Sequence, residues 1–161
     1  MIWWQLINEK MTTMTHVISA FPGCGKTTTY LNLKEKIKIL DSDSSLFDKA
    51  YFPTNYIEHI KENIGKVDII FVSSHKVVRD ALNNNNINYT IYYPSKERKK
   101  EMMDLYKQRG NNEKFLKFLN DNFESFIDDI DNDNIKNKIK LKNEGDFILN
   151  DKYFNRILNY E

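Results

Sequence analysis

Residues 15–30 read THVISAFPGCGKTTTY, and this stretch constrains the fold more than any other. A short β-branched, apolar run, HVISA (16–20), leads without a break into Phe21-Pro22-Gly23-Cys24-Gly25-Lys26-Thr27. Such a run ending on glycines has the pattern of a buried parallel strand, and KTTTYLNLKEK (26–36) then reads as a helix. Strand, glycine-rich turn and helix in that order form a phosphate loop when Gly and four residues precede Gly-Lys-Ser/Thr. Ala20 stands in place of the first Gly, a substitution the motif accepts, and Gly25-Lys26-Thr27 completes the spacing.

Each residue type has a physical task there. Gly23 and Gly25 let the backbone curl so that successive N–H groups point at phosphate oxygens, and the following helix adds its positive N-terminus. Lys26 can reach the β- and γ-phosphates of a nucleotide such as ATP, and the Thr27 hydroxyl can ligate Mg²⁺. The candidate nucleotide-binding set is therefore Pro22, Gly23, Cys24, Gly25, Lys26, Thr27 and Thr28. The competing reading is a chance Gly-x-Gly-Lys-Thr in an ordinary loop. For Cys24 two readings stand: a thiol whose pKa is lowered by the helix N-terminus and Lys26, or a tolerated small residue whose backbone N–H does the binding.

The rest of the chain alternates strands with helices. IKIL (37–40) reads as a second strand, and a helix over 55–64, opened by Pro53 and Thr54, stops at Gly65. VDIIFVSS (67–74) reads as the third strand, His75–Leu82 as a helix, and NYTIYY (88–93) as the fourth strand, ended by Pro94. A charged helix over about 95–108 stops near Gly110. A further helix over about 112–129 puts Phe115, Leu116, Phe118, Leu119, Phe123, Phe126 and Ile127 at helical spacing. IKNKIKL (135–141) reads as a last strand and DKYFNRILNY as a terminal helix. This alternation predicts an α/β chain with a mainly parallel five-stranded sheet between helical layers.

Composition supports that architecture and removes others. With 161 residues, 40% of them hydrophobic, the chain is expected to form one domain over 14–161, preceded by an extension at 1–13. That extension lacks a basic start and a cleavage site, so it is not read as a signal peptide; Trp3 and Trp4 could pack it on the body. No apolar run approaches the ~20 residues that a membrane span needs. The net charge of +1 does not point to nucleic acid, though a local basic surface would permit it. The single cysteine excludes an internal disulfide and suits a reducing compartment, hence a cytoplasmic protein.

ILDSDSSLF (39–47) carries the next chemistry. Asp41 and Asp43 fall at the C-terminal end of the second strand, the edge where parallel sheets place ligands. Two apart in extended chain, they would face the phosphate loop together, one holding Mg²⁺ through water and the other accepting a proton from an attacking hydroxyl. The alternative is an Asp/Ser-rich turn that caps the next segment. Phosphate loop, short helix and a strand ending in Asp-Ser-Asp resemble the small P-loop kinases, including shikimate, gluconate, nucleoside monophosphate and polynucleotide kinases. The SAFPG start, LDSDSS and YKQRG together also resemble small phage-encoded proteins of nucleotide-kinase type, which would place the chain in a host cytoplasm. The resemblance implies the three-layer α/β/α P-loop NTPase fold with a helical lid, Asp41 near the metal, and Asp43 as the base that contacts the acceptor.

The same resemblance implies lid arginines after the fourth strand. In SKERKKEMMDLYKQRG (95–110), Arg98 and Arg109 are the candidates for neutralising the transferring phosphoryl group, with a solvated amphipathic helix as the competing reading. The third strand ends in Ser73 and Ser74 where motor NTPases place an acid, which argues against a motor. His75 and Arg79 are candidates for the acceptor pocket, Arg79 for an acceptor phosphate, with helix capping and surface charge as the alternative. KNEGDFIL (142–149) lies where relatives wrap adenine. The expectation is a Mg²⁺-dependent kinase moving the γ-phosphoryl group of ATP, or of another nucleoside triphosphate, to a nucleotide, nucleoside or nucleic-acid end. An NTP hydrolase and a non-catalytic nucleotide-binding module acting through a partner are the alternatives.

Overall fold

The run before the glycines is strand β1 (His16–Ala20), and it is buried from Val17 onward. In the computed structural model, which describes residues 14–158, it is followed by α1 (Lys26–Leu33), β2 (Ile39–Asp41), α2 (Thr54–Asn63), β3 (Ile69–Ser73) and α3 (Lys76–Asn84). Then come β4 (Thr90–Pro94), α4 (Lys99–Gln108), α5 (Glu113–Asn132), β5 (Asn137–Leu141) and α6 (Lys152–Leu158). The five strands form one parallel sheet in the order β2-β3-β1-β4-β5, so the described residues are α/β with six helices. The expectation of a mainly parallel sheet sharpens to an all-parallel one. The extension at 1–13, with Trp3 and Trp4, lies outside the described residues.

Element types match the expectation and several boundaries move. Helix α1 ends at Leu33 rather than 36, because the chain turns there through bonds from Lys36 N–H and Ile37 N–H to the Leu33 carbonyl. The second strand starts two residues later, at Ile39, since Lys38 N–H is taken by the Asp68 carboxylate at 2.8 Å. The charged helix after β4 opens as a 3₁₀ turn (Lys96–Arg98), and α4 proper begins at Lys99. Pro94 does not end β4 from outside but is its last residue.

The described residues pack as two compact units, 14–20 with 26–90, and 21–25 with 91–158. In the first, β3 is buried from Ile69 to Val72, as a strand covered on both faces must be. β1 and β2 flank it in parallel register, His16 against Ile69 and Ile39 against Ile69. Tyr56, Ile57 and Ile60 of α2 and Val78, Ala81 and Leu82 of α3 complete that core.

In the second unit, α5 buries Leu119, Phe123, Ile127 and Ile130, a stripe at spacings of four, four and three. Each such side chain contributes roughly 1.5–3 kcal/mol on removal from water. Phe118, off that stripe, is 49% exposed, and Phe115, in the first turn of the helix, is 39% exposed. Asn112 caps the helix start by accepting from Phe115 N–H at 2.8 Å. Its far end is capped from the next strand: Lys138 Nζ donates to the carbonyls of Asp131 (2.9 Å) and Asp133 (3.1 Å). Among the described residues no helix is long and apolar enough to cross a membrane.

Candidate functional site

In the first unit, Lys26 opens α1 directly after the glycines, and its Nζ stands 3.3 Å from Asp41 Oδ1 on the last residue of β2. Both side chains are about one-third exposed, so the pair is accessible to a ligand. The structure thus brings together the loop lysine and the first of the two aspartates. Thr27 and Thr28 are exposed on the first turn of the same helix.

Asp43 takes a different position from Asp41. It is the cap of a 3₁₀ turn (Ser44–Leu46), and its Oδ1 accepts from Ser45 N–H at 2.9 Å and from the Ser45 hydroxyl at 2.7 Å. These hydrogen bonds, helped by the Lys26 charge, hold its carboxyl below the usual range. The capping turn weighed as the alternative for this stretch is therefore present at Asp43.

Between them, Ser42 is buried and anchors the turn. Its Oγ is 2.8 Å from His59 Nε2, its backbone carbonyl accepts from Tyr56 Oη at 2.6 Å, and its N–H donates to the Phe71 carbonyl at 3.0 Å. Tyr56 Oη also accepts from Ser73 N–H at 3.1 Å, so one hydroxyl ties the Asp41–Asp43 turn to the end of β3. Burial pushes the Tyr56 phenol well above its usual range, which keeps it neutral. The rings of Phe47, 4.9 Å from Tyr56 and 5.1 Å from His59, close over this network.

His75 caps α3 without a side-chain bond, and its imidazole is held below its usual pKa by desolvation and then by the Arg79 guanidinium. Arg79 is 2% exposed and donates from Nε to the Ser74 carbonyl at 3.0 Å. It thus anchors the end of β3 from inside the unit.

In the second unit, the loop residues 21–25 are held from several sides. Phe21 N–H donates to the Tyr92 carbonyl at 2.9 Å, and the Pro22 carbonyl accepts from Tyr106 Oη at 2.6 Å. Gly23 has φ +84°, and a Cβ there would lie 2.7 Å from the Tyr106 ring and 2.8 Å from the Met102 methyl. Gly25 has φ +95°, and a Cβ would lie 3.2 Å from Phe147 Cβ. Handedness favours glycine at both positions, and at Gly23 the lack of space adds to it. Cys24 is 1% exposed, its carbonyl accepts from Ile148 N–H at 3.0 Å, and burial pushes its thiol up to about 12. The reading of Cys24 as an activated thiol is thereby overturned: desolvation outweighs the nearby Arg98 charge, and the small, buried residue remains.

Arg98 is 4% exposed. It pairs with Glu101 through two bonds (2.7 and 2.9 Å), and Nη1 donates to the carbonyls of Leu141 (3.0 Å) and Asp146 (2.9 Å). Its guanidinium lies 5.3 Å from the centre of the Phe147 ring. Arg109, at the C-terminal cap of α4, is exposed. A cavity of about 710 Å³ opens between the 3₁₀ turn, α4 and residues 142–147, lined among others by Leu105, Gln108, Asn143 and Phe147. Tyr56, His59 and Ser42 had no signal in the sequence beyond an ordinary amphipathic helix and a serine-rich turn. The sequence matches no known family model and no curated protein.

Proposed function

We propose that this chain is a Mg²⁺-dependent phosphotransferase of the P-loop kinase type, moving the γ-phosphoryl group of a nucleoside triphosphate to a nucleotide-type acceptor. The observation that carries the proposal is the 3.3 Å approach of Lys26 Nζ to Asp41 Oδ1, where the helix after the glycines and the end of β2 meet in one unit. An ammonium at a helix start beside a hard carboxylate oxygen suits a phosphate and a divalent cation together. Thr27 supplies a hydroxyl on the same turn. Among the described residues no three His, Cys, Asp or Glu cluster as a metal cage. That suits Mg²⁺, which is held by one or two carboxylates and otherwise by phosphate oxygens and water.

ATP would bring the reactive phosphoryl group and Mg²⁺ would neutralise its charge. This chain's residues do the rest by position. Lys26 would bind phosphate oxygens, and Thr27 and Asp41 would hold the cation. Asp43, kept ionised by Ser45, accepts a hydrogen bond from the acceptor hydroxyl and orients it. A carboxylate with a depressed pKa is a weak base, and phosphoryl transfer through a loose transition state asks for orientation more than for strong proton abstraction.

The test is ADP release from ATP and Mg²⁺ across nucleosides, nucleoside monophosphates, 5′-hydroxyl oligonucleotides and small hydroxy acids, with Lys26→Ala and Asp43→Asn as controls. Stimulation by one acceptor, lost in both variants, supports the kinase and names its substrate. Hydrolysis that no acceptor stimulates makes it a hydrolase, and ATP binding without turnover makes it a binding module.

A further inference from the structure

Arg98 is the second unit's most heavily bonded side chain among the contacts described, and what it holds leads back to the glycine-rich loop. Through Nη1 it grips the carbonyls of Leu141 and Asp146, the two ends of the turn that follows β5. Glu101, locked to Arg98 by two bonds, accepts from Gly145 N–H at 3.0 Å inside that same turn. The next two residues are Phe147, whose Cβ lies against Gly25, and Ile148, whose N–H donates to the Cys24 carbonyl. The path from guanidinium to loop backbone is therefore continuous: Arg98 and Glu101, residues 141–146, Phe147 and Ile148, Cys24 and Gly25.

We propose that Arg98 and Glu101 are positioning residues of the glycine-rich loop, fixing the path of Cys24 and Gly25 by clamping the 141–146 turn. A planar fork is the group for this task, because it meets a carboxylate with two bonds while a third nitrogen spans two carbonyls. An arginine used in this way does not reach for a phosphate; it sets the backbone that does. The consequence for nucleotide binding rests on the phosphotransferase reading, whereas the clamp itself does not.

Cys24, the chain's only cysteine, reports on the clamp directly. In the full chain, the rate at which a disulfide reagent labels Cys24 under native conditions would be measured for Glu101→Gln, Arg98→Lys and Arg98→Met. Leu119→Ala, a core truncation elsewhere in the unit, controls for general loosening, with every protein assayed equally far below its own melting temperature. MgATP affinity would be measured by calorimetry on the same samples. The expected result is labelling faster by about tenfold or more in Glu101→Gln and Arg98→Met than in the control, as local opening requires. Arg98→Lys falls between, since an ammonium cannot span the same acceptors. MgATP affinity weakens in the same order. If Arg98→Met does not fold, Glu101→Gln decides alone.

Labelling of Glu101→Gln at the control's rate overturns the proposal. So does an Arg98→Met variant that loses ATP while Glu101→Gln keeps both affinity and protection, because that pattern belongs to an arginine touching phosphate. A wild-type chain that binds no ATP overturns the phosphotransferase reading and leaves the labelling result to judge the clamp.

Discussion

In the first unit the Asp41–Asp43 turn is anchored in the interior by hydroxyls, Tyr56 between Ser42 and Ser73 and Ser42 on His59, with the one-third-exposed Lys26–Asp41 pair beside them. In the second, residues 21–25 are held by shape and by an ion pair whose arginine is buried, with Gly23 pressed against Tyr106 and the Arg98–Glu101 clamp acting through Phe147 and Ile148. The difference follows from what each stretch offers. The carboxylate turn has polar backbone close to a strand end, which one bifunctional hydroxyl can satisfy. Beyond Phe21, whose buried ring meets Phe123 edge-on at 5.7 Å, the glycine-rich loop offers little to grip but a buried thiol, so the rest of it must be held through its backbone and its bare Cα atoms.

Shape should fail hardest. Gly23→Ala combines a left-handed backbone with a Cβ 2.7 Å from a buried ring, and a loss of roughly 2–4 kcal/mol is expected in urea unfolding. A loss below 1 kcal/mol would mean that the loop yields and the contrast between the units is weaker than drawn. Next comes Tyr56→Phe, which leaves the Ser42 carbonyl and the Ser73 N–H without their shared partner. It should cost about 1–3 kcal/mol, and ADP release should fall through kcat rather than KM as Asp41 and Asp43 lose their register.

Acid should separate the two regions. The hydrogen bonds from Arg98 hold the Glu101 carboxyl below its usual range, so the pair's stabilisation is complete above the unfolded-state value of ~4.3. It is lost as pH falls through the lower folded value. Cys24 protection in the wild type should therefore drop in that acid window, and the drop should flatten in Glu101→Gln. Smallest for stability is Lys26→Met: the Lys26–Asp41 pair is one-third exposed, so its loss should cost less than about 1 kcal/mol. MgATP binding by the same variant should vanish, and binding that survived would remove Lys26 from the proposed site.

The parts legible in the sequence are those where one residue type has one physical use. β1 and the start of α1 follow from glycines and a lysine whose spacing has few other meanings, and the place of Asp41 from the IKIL run before it. Tyr56 and His59 were illegible because an i, i+3 pair on an amphipathic helix reads as core and surface; only the fold shows that Ser42 lies beneath them. Arg98 reads as a lid arginine or as part of a solvated amphipathic helix because five charged neighbours surround it at 96–101, and no local pattern reveals a 3₁₀ turn that buries it. Phe115 and Phe118 share the helical spacing of the buried residues, and spacing selects a face without saying how wide or how long it is. The two readings of Cys24 are separated by burial alone.

The amino group of Lys138 ends helix α5 by reaching back to carbonyls five and seven residues earlier. The stop signal of the helix is thus written in the first turn of chain belonging to the strand, not in the connection between them. Residues 134–136 then act as a ruler. Substitutions at the exposed Asn134 and Lys136 leave the reach of Lys138 intact, while adding or deleting a single residue slides the amino group off its carbonyls and shifts the side-chain alternation of β5 at once. Along this stretch, evolution would be expected to vary letters on either side of the buried Ile135 and to conserve length.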